Sequence, residues 1–268
     1  HTRLVSDWSS DVCSSDLLVD RRTFLSVTGA ALATTIAGYN PDHAGRMASA
    51  LAGKPAGNPL LEQIEQSIPH LQRLDDAKGG GANLAYVGAQ FHAVAVVLHQ
   101  GGNTTKVEAR LLSSLAELGQ LAGWMALDAG KYALAQRYLI TALRAAHHVG
   151  YRSMAAHVLA DLSFQAASCE DGTDAVTLGA TAQHAAAGTP ATVRASVLSR
   201  VAYGHAVAGD INSFERAYNQ SREAIEQRGN NEPPWMYYLT SNHLDTQAGY
   251  ALVHAGDRAL DGGDRTRA

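Results

Sequence analysis

At 268 residues the chain is long enough for one large or two ordinary domains. Hydrophobic residues make up 46% of it but aromatics only 6%, and much of the apolar content is alanine, the best helix former and a residue that lets helices approach closely. The net charge of −4 supplies no basic field to draw nucleic acid onto this chain, and no apolar run reaches the ~18 residues of a membrane-spanning helix.

Residues 1–17, HTRLVSDWSSDVCSSDL, are rich in Ser and Asp, lack an apolar period and match nothing that follows. They resemble the translation of a sequencing-adapter fragment and are excluded from fold reasoning. The alternative is a genuine disordered Ser/Asp tail. The first reading implies that the native protein extends upstream of Leu18.

Residues 18–59 read as a linker carrying a twin-arginine-like segment. Arg21-Arg22-Thr23-Phe24-Leu25 precedes the weakly apolar SVTGAALATTIAG, which suits an export signal. Ala31-Leu32-Ala33 and Ser49-Ala50-Leu51-Ala52 offer small-residue cleavage sites. The competing reading is an internal linker, because the apolar stretch is short and diluted by Thr and Gly. Residues 38–59, rich in Gly, Pro, Ala and Asn, predict a loosely packed connection.

Residues 60–257 predict a succession of helices punctuated by glycine, and residues 258–268 a frayed or truncated tail. Gly101-Gly102 closes a helix containing Leu84, Val87, Phe91, Val94 and Leu98. Glycines then follow at intervals of 16 to 27 residues, one helix plus its connection. Gly130, Gly172, Gly209 and Gly256 would turn within hairpins, and Gly150, Gly188 and Gly229 would separate them. The resulting period of 37 to 47 residues is at or above the ~34 of tetratricopeptide repeats. The predicted fold is all-α, a tetratricopeptide-like solenoid of helical hairpins wound into a right-handed superhelix.

The clearest hairpin runs from Leu115 to Leu143 and turns at Gly130. Leu115, Leu118, Gly119, Ala122, Gly123 and Ala126 recur at helical spacing on its first helix. Leu134, Ala135, Tyr138, Leu139, Ala142 and Leu143 do so on its second. Gly123, Ala135 and Ala142 fall at the three small-residue positions of the tetratricopeptide pattern and are predicted packing residues, with Gly130 at the turn. Helices 152–169 with 173–187 and 191–208 with 211–228 predict two weaker hairpins, the last irregular because Phe214 stands where alanine is expected. A fourth would begin at Pro233-Pro234, prolines suiting a helix start, and turn at Gly256-Asp257.

Trp124 and Arg137 could line a ligand groove, as could Trp235, Tyr237 and Tyr238, since aromatics are enriched at binding hot spots. Packing between hairpins is the competing role for that last cluster, and for Trp124. Chemistry finds little support. The two cysteines, Cys13 and Cys169, form no disulfide framework and no zinc spacing, which suits a reducing compartment. There is no GxSxG, no phosphate-binding loop and no HExxH pair. His92 and His99 share a helix face without an acidic third ligand beside them. Gly79-Gly80-Gly81 reads as a flexible connection and Asp75-Asp76 as a solvated charge pair. No catalytic residue, metal site or cofactor is expected, and the chain reads as a non-enzyme.

The segment AELGQLAGWMALDAGKYALAQRYLITAL resembles the C-terminal tetratricopeptide-like region of actinobacterial, Streptomyces-type transcriptional regulators with an N-terminal Cro/C1-type helix-turn-helix. The blocks Ala122-Gly123-Trp124 and Ala135-Gln136-Arg137-Tyr138 are its most specific parts. The DRRTFL and PPWMYYL segments resemble that family too, and the likeness covers most of residues 18–257. It implies a sensor or dimerisation region that binds a protein, a peptide or a second copy of itself. DNA would be contacted only through a helix-turn-helix that this chain lacks. The resemblance also implies a cytoplasmic protein that does not act at a membrane. A helical-repeat protein exported by the twin-arginine route is the alternative.

Overall fold

The computed structural model describes residues 41–261. The adapter-like and twin-arginine-like segments, and most of the C-terminal tail, lie outside the described residues. All regular structure among the described residues is helical. The ten α-helices are α1 (Pro41–Leu51), α2 (Asn58–Lys78), α3 (Gly80–Gln100), α4 (Thr105–Asp128), α5 (Tyr132–His148), α6 (Arg152–Ser168), α7 (Gly172–Ala185), α8 (Ala191–Val207), α9 (Ile211–Glu226) and α10 (Ser241–Asp261). A 3₁₀ turn, Pro234–Met236, precedes α10. The chain divides after Gly150 into two compact units.

In the first unit α4 packs against α2, α3 and α5, and α1 packs on α2 and α3. Residues 41–51, expected as linker, are therefore an ordered helix, with Ala50 and Ala56 buried. Asn103 fastens this end. Its Oδ1 accepts from the Ala56 N–H at 2.8 Å, and its Nδ2 donates to the Val97 carbonyl at 3.2 Å. Arg110 on α4 grips Glu65 on α2 through the Nε and Nη2 of one guanidinium edge, at 2.8 and 2.7 Å. The α4–α5 hairpin is close because its contact residues are small. A Cβ on Gly123 would come within 2.7 Å of Leu139, and one on Gly119 within 3.0 Å of the Ala142 Cβ. Ala135 and Ala142 are wholly buried. Gly130 takes φ +70° at the turn, a region costly for other residues.

In the second unit α6 pairs antiparallel with α7, and α8 lies against both. α9 returns along α8, and α10 packs on α8 and α9. The bounds of α6, α7, α8 and α9 lie within two residues of those predicted. The turns differ in their chemistry. Gly209 takes φ +80° between α8 and α9, but Glu170 takes the left-handed position between α6 and α7, at φ +63°. Gly172 is instead the first residue of α7. It is required by proximity, since a Cβ there would meet the Ala208 Cα at 2.8 Å. Gly256, expected at a turn, lies inside α10. Pro233-Pro234 opens the 3₁₀ turn and not the helix. The fourth hairpin is thus a single helix among the described residues. Phe214 is buried and stacks parallel to Tyr218, with centroids 6.1 Å apart; Ala217 and Ser221, further along α9, are buried too.

Candidate functional site

The second unit is organised around side chains that pass between parallel helices at a fixed register. His157 on α6 lies 3.4 Å from Ser196 Oγ on α8, an offset of 39 residues. Phe164 and Tyr203 keep the same offset and meet edge to face at 4.9 Å. From α8 to α10, Arg200 donates to Gln247 Oε1 at 2.7 Å. The Arg200 guanidinium also lies 4.2 Å from the centre of the Phe164 ring, a cation–π contact. At the aromatic level the chain of contacts continues to α10 through His254, whose Nδ1 lies 3.3 Å from Tyr203 Oη.

Between these helices groups are buried that seldom leave water. His157, Asp161, Ser196 and Arg200 are all no more than 5% exposed. Burial pushes the His157 imidazole below its ordinary value. Asp161 opposes that shift and Arg200 adds to it. His243 is likewise lowered by burial and by Arg200. Ser196, His157 and Asp161 stand in the order of a hydrolytic triad, but the His157 Nε2 to Asp161 Oδ2 separation is 3.8 Å, beyond a hydrogen bond. All three side chains are sealed in the core, so no acyl group could reach Ser196 Oγ. The arrangement suits a packed polar seam and not nucleophilic chemistry.

A segment between α9 and α10 closes over this seam. Trp235, in the 3₁₀ turn, tilts its ring over His157 with centroids 5.0 Å apart. Its indole N–H donates to Tyr151 Oη at 2.8 Å. Trp235 is a core residue, 5% exposed, whose ring packs over an imidazole and whose one polar atom finds a half-buried partner. Glu232 caps α8 from the same segment. It accepts from the Thr192 N–H, the Thr192 hydroxyl and the Gly229 N–H, at 3.0, 2.6 and 3.0 Å. Burial works against its charge, yet these hydrogen bonds prevail and hold the carboxyl below its ordinary value. Tyr237 is exposed, and Tyr238 is half-buried edge-on to His243 at 5.2 Å. Trp124 on α4 and Arg137 on α5 are half-buried members of the first unit.

Two open depressions flank the second unit's seam. One, of about 270 Å³, is lined by α7, α8 and α9, with Gln183, Arg194, Gln220, Glu223 and Gln227 around a floor of Ala186, Val197 and Ala224. The other, of about 730 Å³, lies at the turns, between Cys169–Thr173 and His205–Asp210. In the first unit Asp75, expected as solvated, is half-buried, and its Oδ1 has no hydrogen-bond partner among the described residues. Burial, with the carboxylates of Asp128 and Asp76 nearby, raises it to about 6. Tyr138 packs edge to face on Phe91 at 5.1 Å, and burial pushes its hydroxyl up to about 12. Among the described residues no three His, Cys, Asp or Glu side chains are placed to hold a metal ion, and no helix is long and apolar enough to cross a membrane.

Sequence reasoning missed the polar seam. Its signal was present: His157 and Asp161 are four apart, Ser196 and Arg200 repeat that spacing 39 residues on, and His243 and Gln247 repeat it again after 47. No family model, no curated protein and no solved structure matches this chain.

Proposed function

We propose that this chain is the ligand-binding region of a transcriptional regulator, a tetratricopeptide-like right-handed stack of helical hairpins that takes up a protein, a peptide or a second copy of itself. One observation carries the reading: α6 and α8 lie in register, with side chains meeting at a 39-residue offset at two levels, and Arg200 ties α8 to α10. Stacked hairpins of this kind are quasi-one-dimensional and expose long surfaces suited to binding. Their conserved geometry is spent on packing, as Gly123, Ala135 and Ala142 are. The buried seam offers no access to a reactant, which favours binding over catalysis. The resemblance of residues 116–143 to actinobacterial Cro/C1-type regulators supplies the regulatory context. In that context DNA is contacted by a helix-turn-helix upstream, and the ligand alters its disposition.

The test begins at the genomic locus upstream of Leu18. An in-frame helix-turn-helix is the expected result, and the intact product should retard its own promoter in a gel-shift assay. A start codon a few residues before Asp20 overturns the proposal. Secretion of a reporter fused to residues 18–60 would establish instead the exported protein that Arg21-Arg22 suggests.

A further inference from the structure

Two helices of the first unit end beside one another on acidic side chains, and we infer that Asp75 and Asp128 form a proton-operated latch that holds the α2–α3 corner against the end of α4. The inference is independent of the ligand-binding reading above. Near its start α4 is tied to the start of α2, through Arg110 on Glu65 and on Asn58. At the other end, a Cβ on Gly79, just past α2, would stand 4.0 Å from Oδ2 of Asp128, the last residue of α4. The two helices therefore run in the same direction and finish side by side, each at the negative pole of its dipole. The last turn of α4 holds no basic residue.

Gly79 links the two acids. Its N–H donates to the Asp75 main-chain carbonyl at 2.8 Å, and its other side faces Asp128. Asp75 Oδ1 is shielded from solvent and accepts no hydrogen bond from a described residue. Such an oxygen is costly to keep ionised. A protonated carboxyl instead offers an O–H that a neighbouring carboxylate accepts. Of the charges acting on Asp75, that of Asp128 is the largest, and Asp76 on the same helix adds to it. The start of α3 supplies no ionisable group, since it reads Gly80-Gly81-Ala82-Asn83. On α1, Arg46 is bonded to Gln63. Lys78 closes α2 and Lys131 precedes α5, but the balance on Asp75 remains repulsive.

The corner is built to move. It consists of three successive glycines, Gly79-Gly80-Gly81, so no side chain anchors it. Even a Cβ on Gly81 would make only ordinary contact, 3.8 Å from the Ala129 Cβ. With both carboxylates ionised, like charges push the corner off the end of α4. One proton taken up by Asp75 removes that repulsion and turns its carboxyl into a donor to Asp128. Burial and the two acidic neighbours raise Asp75 to about 6. The latch therefore closes as pH falls through that value and opens as pH rises through it.

The experiment is hydrogen–deuterium exchange of the full 268-residue chain at pH 5 and pH 8, with rates corrected for the intrinsic pH dependence of amide exchange. Residues 74–86 are expected to open roughly fivefold more often at pH 8, a half-buried group being partly screened by solvent. The change should exceed that over residues 132–148 of α5, which report the stability of the unit as a whole. Carboxyl-carbon NMR of the same chain reads the proton itself. Asp75 should titrate at about 6 and move toward its ordinary 3.8 in Asp128→Asn. Asp75→Asn should hold the corner closed at both pH values. Equal corrected exchange of residues 74–86 at pH 5 and pH 8 in the wild-type chain overturns the latch, and that comparison needs no variant to fold. So does an Asp75 midpoint in the ordinary carboxylate range, or one that Asp128→Asn leaves in place.

Discussion

Glu232 Oε2 accepts hydrogen bonds from both the N–H and the hydroxyl of Thr192, 40 residues earlier in the chain. The residue at the start of α8, Pro190, has no side chain able to cap the helix. A carboxylate borrowed from the α9–α10 segment satisfies orphan donors there and sits favourably at the positive end of the helix dipole. The same contact ties down the segment that carries Trp235.

Glu232→Gln is expected to destabilise the second unit by about 1–2 kcal/mol at pH 7, the range for a lost helix cap with charge-assisted bonds. Its folded carboxyl is held below the ordinary value. The stability it contributes is therefore present above the unfolded value near 4.5 and lost as pH falls through the folded one. Urea denaturation of wild type and variant should show a gap at pH 7 that closes in strong acid. A gap that stays constant with pH would mean that Glu232 contributes packing and not charge.

Gly123→Ala and Ala135→Leu should each cost about 1–3 kcal/mol by overpacking the α4–α5 hairpin. At Gly123 the added Cβ would lie 2.7 Å from Leu139 side-chain carbons, with the Ala135 carbonyl at 3.4 Å behind it. Gly130→Ala meets no neighbour but must hold φ +70°, so roughly 1 kcal/mol is expected there from backbone strain alone. Thermal melts would rank these variants, and a silent Gly123→Ala would refute the close approach.

The two units should respond to acid with opposite signs. Asp75 is raised to about 6 by burial and by Asp128 and Asp76. Its stabilising contribution is full below the ordinary value near 3.8 and is lost as pH rises through about 6. Asp75→Asn is expected to stabilise the first unit at pH 8, by about 1 kcal/mol once solvent screening is allowed for, and to have little effect at pH 4. Chemical denaturation at the two pH values measures this directly.

His157 runs the other way. Its folded value lies below the ordinary 6.5, chiefly because burial disfavours the imidazolium. The stability from keeping it neutral is present above 6.5 and is lost as pH falls through the folded value. Amide exchange should accordingly show residues 151–257 opening more readily on acidification from pH 7 to 5. His157→Gln should flatten that dependence. Equal acid sensitivity in wild type and variant would remove His157 as its source.

Helical identity, hairpin bounds and the small residues between α4 and α5 were legible in the sequence because they are local. Alanine content, a 3.6-residue period and glycine punctuation act within a few turns of chain. The same local logic misled at Gly172 and Gly256. A glycine marks a turn from sequence alone, whereas Gly172 answers to the Ala208 backbone and Gly256 continues a helix. Trp235 read either as a groove aromatic or as packing between hairpins, because its partners, His157 and Tyr151, are 78 and 84 residues away. Asp75 read as solvated because Asp128, which helps to raise it, lies on another helix. The sequence by itself determined that the chain forms helices paired as hairpins. Only the tertiary structure decided which polar groups leave water, because burial and register between helices are set by contacts across dozens of residues.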